Sequence, residues 1–168
     1  MLIGLISDTH DRLPYIEKAI KRLNEERVEL VLHAGDYIAP FVASKFKKLK
    51  ADLIGVFGNN DGDKNLLLKK FSQIGAEIRG RFAEIIVDGL KIALLHGEEE
   101  ELLKALINAE NHDLLVHGHT HEAKIYRKGE MLIVNPGEVC GYLTGKSTIA
   151  IFDTQTKEAR IITLEQTS

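Results

Sequence analysis

Leu2-Ile3-Gly4-Leu5-Ile6-Ser7-Asp8-Thr9-His10 decides the fold class of this chain. Five apolar residues in a row, too few for a helix, mark a central strand covered on both faces. The run stops abruptly at a carboxylate and an imidazole. The same pattern returns twice. A predicted strand over 28–32 ends at His33-Ala34-Gly35-Asp36, and one over 53–57 ends at Gly58-Asn59-Asn60-Asp61-Gly62. Helical spacing separates them. Ile16, Ala19, Ile20 and Leu23 share one face after a start in which Asp11 can cap and Pro14 can occupy the first turn. Pro40 opens a second helix with Val42, Phe46 and Leu49 inward, and Leu67, Leu68, Phe71 and Ile74 outline a third. Strands alternating with helices predict βαβ units and a parallel sheet.

The second half changes character. Strands over 82–87 and 90–95 flank Asp88-Gly89, a hairpin signal, and the second ends at His96. Glu98 to Glu101 suit the positive end of a helix that continues through Leu102, Leu103, Leu106 and Ala109. A short strand over 114–116 runs into His117-Gly118-His119-Thr120-His121. A hairpin over 123–127 and 131–134 closes at Asn135-Pro136-Gly137, and strands over 148–153 and 159–164 finish the chain. No linker, repeat or low-complexity segment interrupts it, so residues 1–168 read as a single α/β domain.

Bulk properties narrow the function. The 168 residues are 44% hydrophobic and 28% charged with a formal net charge of -3, ordinary for a globular protein and unsuited to holding nucleic acid by bulk charge. No apolar run approaches membrane-spanning length. The N-terminus is too short and too soon acidic for a signal peptide. Cys140 is the only cysteine, so no intrachain disulfide forms and a cytoplasmic location is expected. The pattern carries no signature of assembly, and a homodimer is compatible with it.

The polar motifs share one position, just past the carboxyl end of a predicted strand, where open α/β sheets bind ligands. Asp8, His10, Asp36, Asn59, His96, His119 and His121 all fall there. Each alone has a plainer reading: a cap, a turn residue, a satisfied histidine. Together they form a candidate metal site. On an extended backbone Asp8 and His10 share a side, as do His117, His119 and His121. Two carboxylates, four imidazoles and one carboxamide exceed a single tetrahedral zinc site and suit two octahedral-leaning ions sharing a bridging carboxylate. Oxygen and nitrogen donors without thiolate favour Mn2+, Fe2+, Co2+, Ni2+ or Zn2+ over Ca2+ or a soft metal, and two divalent ions, Mn2+ taken first, are the expected cofactors.

These five blocks, in order and spacing, resemble the calcineurin-like metallophosphoesterases across essentially the whole chain. The short length, His33-Ala34-Gly35-Asp36 and Asn135-Pro136-Gly137 are similar to the small archaeal and bacterial phosphodiesterase branch, which is related to the metallophosphoesterase-fold subunit of retromer. The resemblance implies an α/β four-layer α-β-β-α sandwich of two mixed sheets flanked by helices. It further implies that Asp8, His10 and His121 hold one ion, that Asn59, His96 and His119 hold another, and that Asp36 bridges them. The implied reaction is two-metal hydrolysis of a small-molecule phosphodiester, in which Asp61 orients Asn60 or a ligand. His117 and His33 lie outside the motif and are assigned packing roles, and His112 reads as a surface turn residue. Many family members have histidine after the ligand asparagine; here that position is Asn60, a carboxamide that cannot donate a proton at neutral pH. Weak or absent turnover of alkyl monoesters follows. Two other readings share the signature: a non-catalytic scaffold of the retromer-subunit type, which loss of ligands would accompany, and a nuclease, which the net charge disfavours.

Overall fold

A computed structural model describes residues 1–165. The strands are β1 (Leu2–Ile6), β2 (Leu30–His33), β3 (Asp52–Gly55), β4 (Glu77–Ile78), β5 (Phe82–Val87), β6 (Leu90–Leu95), β7 (Leu114–Val116), β8 (Lys124–Lys128), β9 (Met131–Asn135), β10 (Thr148–Asp153) and β11 (Glu158–Thr163). The α-helices are α1 (Leu13–Glu25), α2 (Ala43–Phe46), α3 (Lys64–Gln73) and α4 (Glu100–Ala109), with a 3-10 turn over Pro40–Val42 leading into α2.

The strands form two mixed sheets. One has the order β11-β10-β1-β2-β3-β4 and the other β5-β6-β7-β9-β8. β1, β2, β3 and β4 run parallel in the first, and β6, β7 and β9 run parallel in the second. Ile3, Leu5, Leu30 and Leu32 from the first sheet pack against Ile92, Leu94, Leu114 and Val134 from the second. The outer face of the first sheet receives Ile16, Ala19, Ile20 and Leu23 of α1, with Phe46 and Phe71. Leu103, Leu106 and Ile107 of α4 pack on Ala93, Leu115 and Ile133 of the second. This is the four-layer sandwich with two mixed sheets that the resemblance implied.

Several local expectations need correction. Asp11 does not cap α1: Arg12 occupies that place without a side-chain bond, and Asp11 Oδ1 accepts the Ala39 N–H at 2.9 Å. Asp11 thus ties the two loops after β1 and β2 together. Leu68 is exposed, because the apolar face of the short α3 is only Leu67 and Phe71. The two-residue β4 is too short to show a period in the sequence. His112 is no free turn residue; its side chain is 5% exposed and Nε2 lies 3.0 Å from Glu84 on β5.

The inter-sheet layer is one of the buried apolar layers of the molecule. Leu94→Ala, a fully buried site between the sheets, is expected to cost about 2–5 kcal/mol by lost transfer free energy and cavity formation. Ile86→Ala, 72% exposed on β5, should stay within about 0.5 kcal/mol of the parent. Urea unfolding of both variants measures the contrast, and equal losses would refute this layer assignment.

Candidate metal centre

Parallel strands of the two facing sheets deliver their carboxyl ends to one rim. Asp8 follows β1 and Asp36 follows β2, with Asp8 N–H bonded to Gly35 O at 3.0 Å and His10 N–H to Asp36 O at 3.1 Å. From the second sheet, His96 follows β6 and the histidine run follows β7. The Gly118 N–H bonds His96 O at 2.9 Å, and the His119 N–H reaches Asp8 Oδ2 at 3.2 Å.

The chain does not stay extended here, which corrects the simple alternation expected for these motifs. Asp8, His10, Asp36, His119 and His121 all have positive φ, between 40° and 70°. Left-handed residues turn the chain sharply as it leaves a strand. Outside glycine they cost of the order of 1–3 kcal/mol and concentrate at functional sites. Five of the seven expected ligands have this conformation. His117 lacks it, and its Nδ1 faces the Gly118 carbonyl at 3.1 Å, in keeping with a packing role.

The glycines in the motifs have a steric reason. A Cβ on Gly58 would fall 2.1 Å from Asp36 Oδ1, and one on Gly118 would fall 1.9 Å from Ser7 Oγ and 2.7 Å from Asp8 Oδ2. Each glycine gives a carboxylate room to pass.

At the centre, Asp8 Oδ1 lies 3.5 Å from His10 Nε2, 3.8 Å from His96 Nε2 and 3.2 Å from His121 Nε2. Asp36 Oδ2 lies 3.3 Å from both His10 Nε2 and His96 Nε2. Asp8, His10 and His121 form one group of potential ligands, and Asp8, Asp36 and His96 form a second. Asn59 and His119 sit at the exposed edge, His119 Nδ1 3.2 Å from Asn59 Oδ1 and its ring 5.3 Å from that of His96.

The residues fit a cation. Asp8 Oδ1, His10 Nε2 and His96 Nε2 are buried and have no hydrogen-bond partner, an arrangement proteins rarely leave without a purpose. Bonds of about 2.1 Å to a shared ion put neighbouring donors ~3.0 Å apart in an octahedron and ~3.4 Å apart in a tetrahedron, close to the spacings here. His96 Nδ1 meets Ala34 O at 2.7 Å. A carbonyl only accepts, so Nδ1 carries the hydrogen and Nε2 can offer its lone pair inward, as expected of an imidazole ligand.

Two buried carboxylates stand behind this layer. Asp61 accepts N–H groups of Asp36 at 3.1 Å, Ile38 at 2.8 Å and Gly58 at 2.7 Å. It therefore holds the backbone of Asp36 and makes no bond to Asn60. Asn60 is itself anchored on Asp36, its N–H 2.9 Å from Oδ1 and its Nδ2 2.8 Å from Oδ2. Glu138, absent from the sequence-derived set, is fully buried and bonds His121 Nδ1. Its position just after Asn135-Pro136-Gly137 was the one available signal. His33 contributes structure: its Nδ1 accepts the Gly35 N–H at 3.0 Å, its ring stacks on Tyr37, and burial pushes its pKa down to about 3.

Without a cation, imidazoles neutralise the carboxylates. Burial alone would raise the Asp8 carboxyl, but the facing imidazoles of His10, His121 and His96 hold it far below the usual range. Burial is likewise outweighed at Asp36 by His10 and His96. Burial would lower His10, yet Asp36 and Asp8 push it up to about 9. His96 is raised too, Asp36 overcoming its burial.

Raised and depressed groups bracket a pH window. The His10 contribution is complete below its ordinary 6.5 and is lost as pH climbs through about 9. The Asp8 and Asp36 contributions are present above their ordinary 3.8 and are lost on acidification. Neutral, buried His33 contributes stability that is lost as pH falls below 6.5, so melting of the chelator-treated protein should peak near pH 6.5 and decline both on acidification and towards about pH 9. Because a divalent ion replaces ligand protons, Mn2+ should remove the alkaline decline. A flat metal-free profile from pH 6.5 to about 9 would contradict this pairing.

Comparison with known proteins agrees with this geometry. A model of the calcineurin-like phosphoesterase superfamily domain matches residues 1–157. A phosphodiesterase of Methanocaldococcus jannaschii is 44% identical over 166 residues, covering 98% of this chain and 100% of that protein. The Escherichia coli phosphodiesterase YfcE is 26% identical over 83% of this chain and 79% of its own length. Among solved structures, a novel archaeal phosphodiesterase superposes with a TM-score of 0.94 at 43% identity, covering 98% and 100% of the two chains. Vps29 of Entamoeba histolytica, solved with zinc, shares the fold with a TM-score of 0.72 at 19% identity over 98% and 100%. A match of this extent places the chain in the calcineurin-like phosphoesterase superfamily.

Proposed function

We propose that this protein is a divalent-metal-dependent phosphodiesterase acting on small-molecule diesters. The observation that carries the reading is the buried Asp8–Asp36 pair ringed by imidazoles with unpartnered Nε2 atoms. Asp8, His10 and His121 would hold one ion, and Asn59, His96 and His119 would hold the other. Asp36 serves both, a role supported by the equal 3.3 Å spacing of its Oδ2 from His10 and His96. The ions, Mn2+ first among the candidates, supply Lewis acidity that lowers the pKa of a water towards neutrality and offsets charge on the phosphoryl oxygens. The whole chain serves this one site. The buried, unpaired Cys140 fits a cytoplasmic setting.

The protein's own groups then set selectivity. Asn59, Asn60 and His119 are the exposed members of the site, so the phosphoryl group approaches from their side. Asn60, fixed on Asp36 by two hydrogen bonds, can donate from its carboxamide to a phosphoryl oxygen. It has no proton to transfer to a departing alkoxide. A general acid contributes about 10²–10⁴-fold, so esters with poor leaving groups lose most. The likeness to Vps29 is one of fold, and retention of all seven ligand positions favours catalysis over a purely scaffolding role.

With Mn2+ supplied, a bis-aryl phosphodiester should be hydrolysed well and an alkyl monoester hardly at all. Asp8→Asn and His96→Ala should each reduce diester turnover by more than about 100-fold, exceeding typical losses from residues behind the ligands. Asn60→His should raise monoester turnover. Full activity in the ligand variants, or an alkyl monoester cleaved as fast as the diester, would sink the proposal.

A further inference from the structure

We propose that Glu138 is a positioning residue that keeps the proton of His121 on Nδ1 and so determines how tightly the Asp8–His10–His121 group holds its cation. The inference rests on the metal-centre reading above but not on the identity of the substrate. Glu138 is fully buried, and burying a carboxylate is costly unless donors surround it. Its two oxygens have different duties. Oε1 accepts the Thr144 N–H at 2.7 Å, the Thr144 hydroxyl at 2.8 Å and the Leu143 N–H at 3.0 Å. Oε2 faces His121 Nδ1, accepts from the Cys140 thiol at 3.1 Å and takes a weaker share of the Leu143 N–H at 3.3 Å.

The loop alone does not require a carboxylate. An amide oxygen at the Oε1 position would accept the same three donors. The charged acceptor is needed only on the other side, where His121 Nδ1 must donate so that Nε2 keeps its lone pair. Nε2 lies 3.2 Å from Asp8 Oδ1, on the face where the cation would sit. Ligand histidines almost always have such a partner, and removing it typically weakens metal binding about 10–100-fold.

Glu138→Gln separates the two duties. Its amide oxygen can stay with Leu143 and Thr144, while its NH2 donates into His121 Nδ1 and drives the proton to Nε2. In the metal-free protein that Nε2–H keeps Asp8 as acceptor but the ion pair with Glu138 is lost, so melting should fall while the variant stays folded. Competition between the full-length protein and a chelating dye for Mn2+ should show one of two equivalents weakened about 10–100-fold. Glu138→Asp, which keeps the charge, should recover part of that affinity. Thr144→Val, which removes only a loop donor, should leave affinity unchanged. The proposal fails if Glu138→Gln binds both equivalents as the parent does, if Thr144→Val weakens binding equally, or if the parent takes up no Mn2+. A parent that binds Mn2+ but cleaves no diester would refute the phosphodiesterase reading and leave this inference standing.

Discussion

Two carboxylates, Asp8 and Asp36, are buried side by side at the ends of neighbouring parallel strands, and the rim of the molecule is arranged around that fact. Like charges in a space closed to water repel strongly. The pair persists only because positive groups are close. In the metal-free protein these are His10, His96 and His121, whose pKa values are raised by the carboxylates they face. A divalent cation meets the same need with more charge in less volume. Binding a metal and tolerating its absence are thus consequences of one electrostatic constraint.

The fold meets this constraint through direction rather than sequence proximity. β1 and β2 lie in one sheet, and β6 and β7 in the other. Their carboxyl ends face the same rim, so anionic residues arrive from one sheet and most imidazoles from the other. The hydrogen bonds from His96 Nδ1 to Ala34 O and from the His119 N–H to Asp8 Oδ2 bridge the sheets at the site itself. Ligand geometry is therefore coupled to the buried layer between Leu5, Leu32, Leu94 and Val116.

The layers were legible because they are written in continuous apolar runs and in helical periods. Leu2–Ile6, Phe82–Val87, Leu90–Leu95 and Leu114–Val116 are strands with the expected limits. The convergence of Asp8, His10, Asp36, His96 and His121 was legible too, because each follows a strand end. Three kinds of information were not. Left-handed backbone at Asp8, His10 and His121 has no signature in residue type, since aspartate and histidine also occupy ordinary turns. Asp11 resembled a helix cap because its tie to Ala39, across 28 residues, is a tertiary contact. Glu138 looked like one more surface acid beside a turn, and only the approach of residues 143 and 144 buries it.

Asp61 and Glu138 show how differently a buried acid can support a side chain of the candidate metal centre. Asp61 grips the main-chain N–H groups of Asp36, Ile38 and Gly58. Burial and the nearby Asp36 charge raise its pKa, so backbone dipoles only partly compensate. It restrains position and transmits no proton preference to the ligand. Burial would raise Glu138 too, but His121 and the Thr144 N–H outweigh it and hold its pKa near 2. Such a group is ionised near neutral pH, and an ionised acceptor favours hydrogen on the imidazole nitrogen that faces it. One acid fixes where a ligand sits; the other fixes what the ligand can offer.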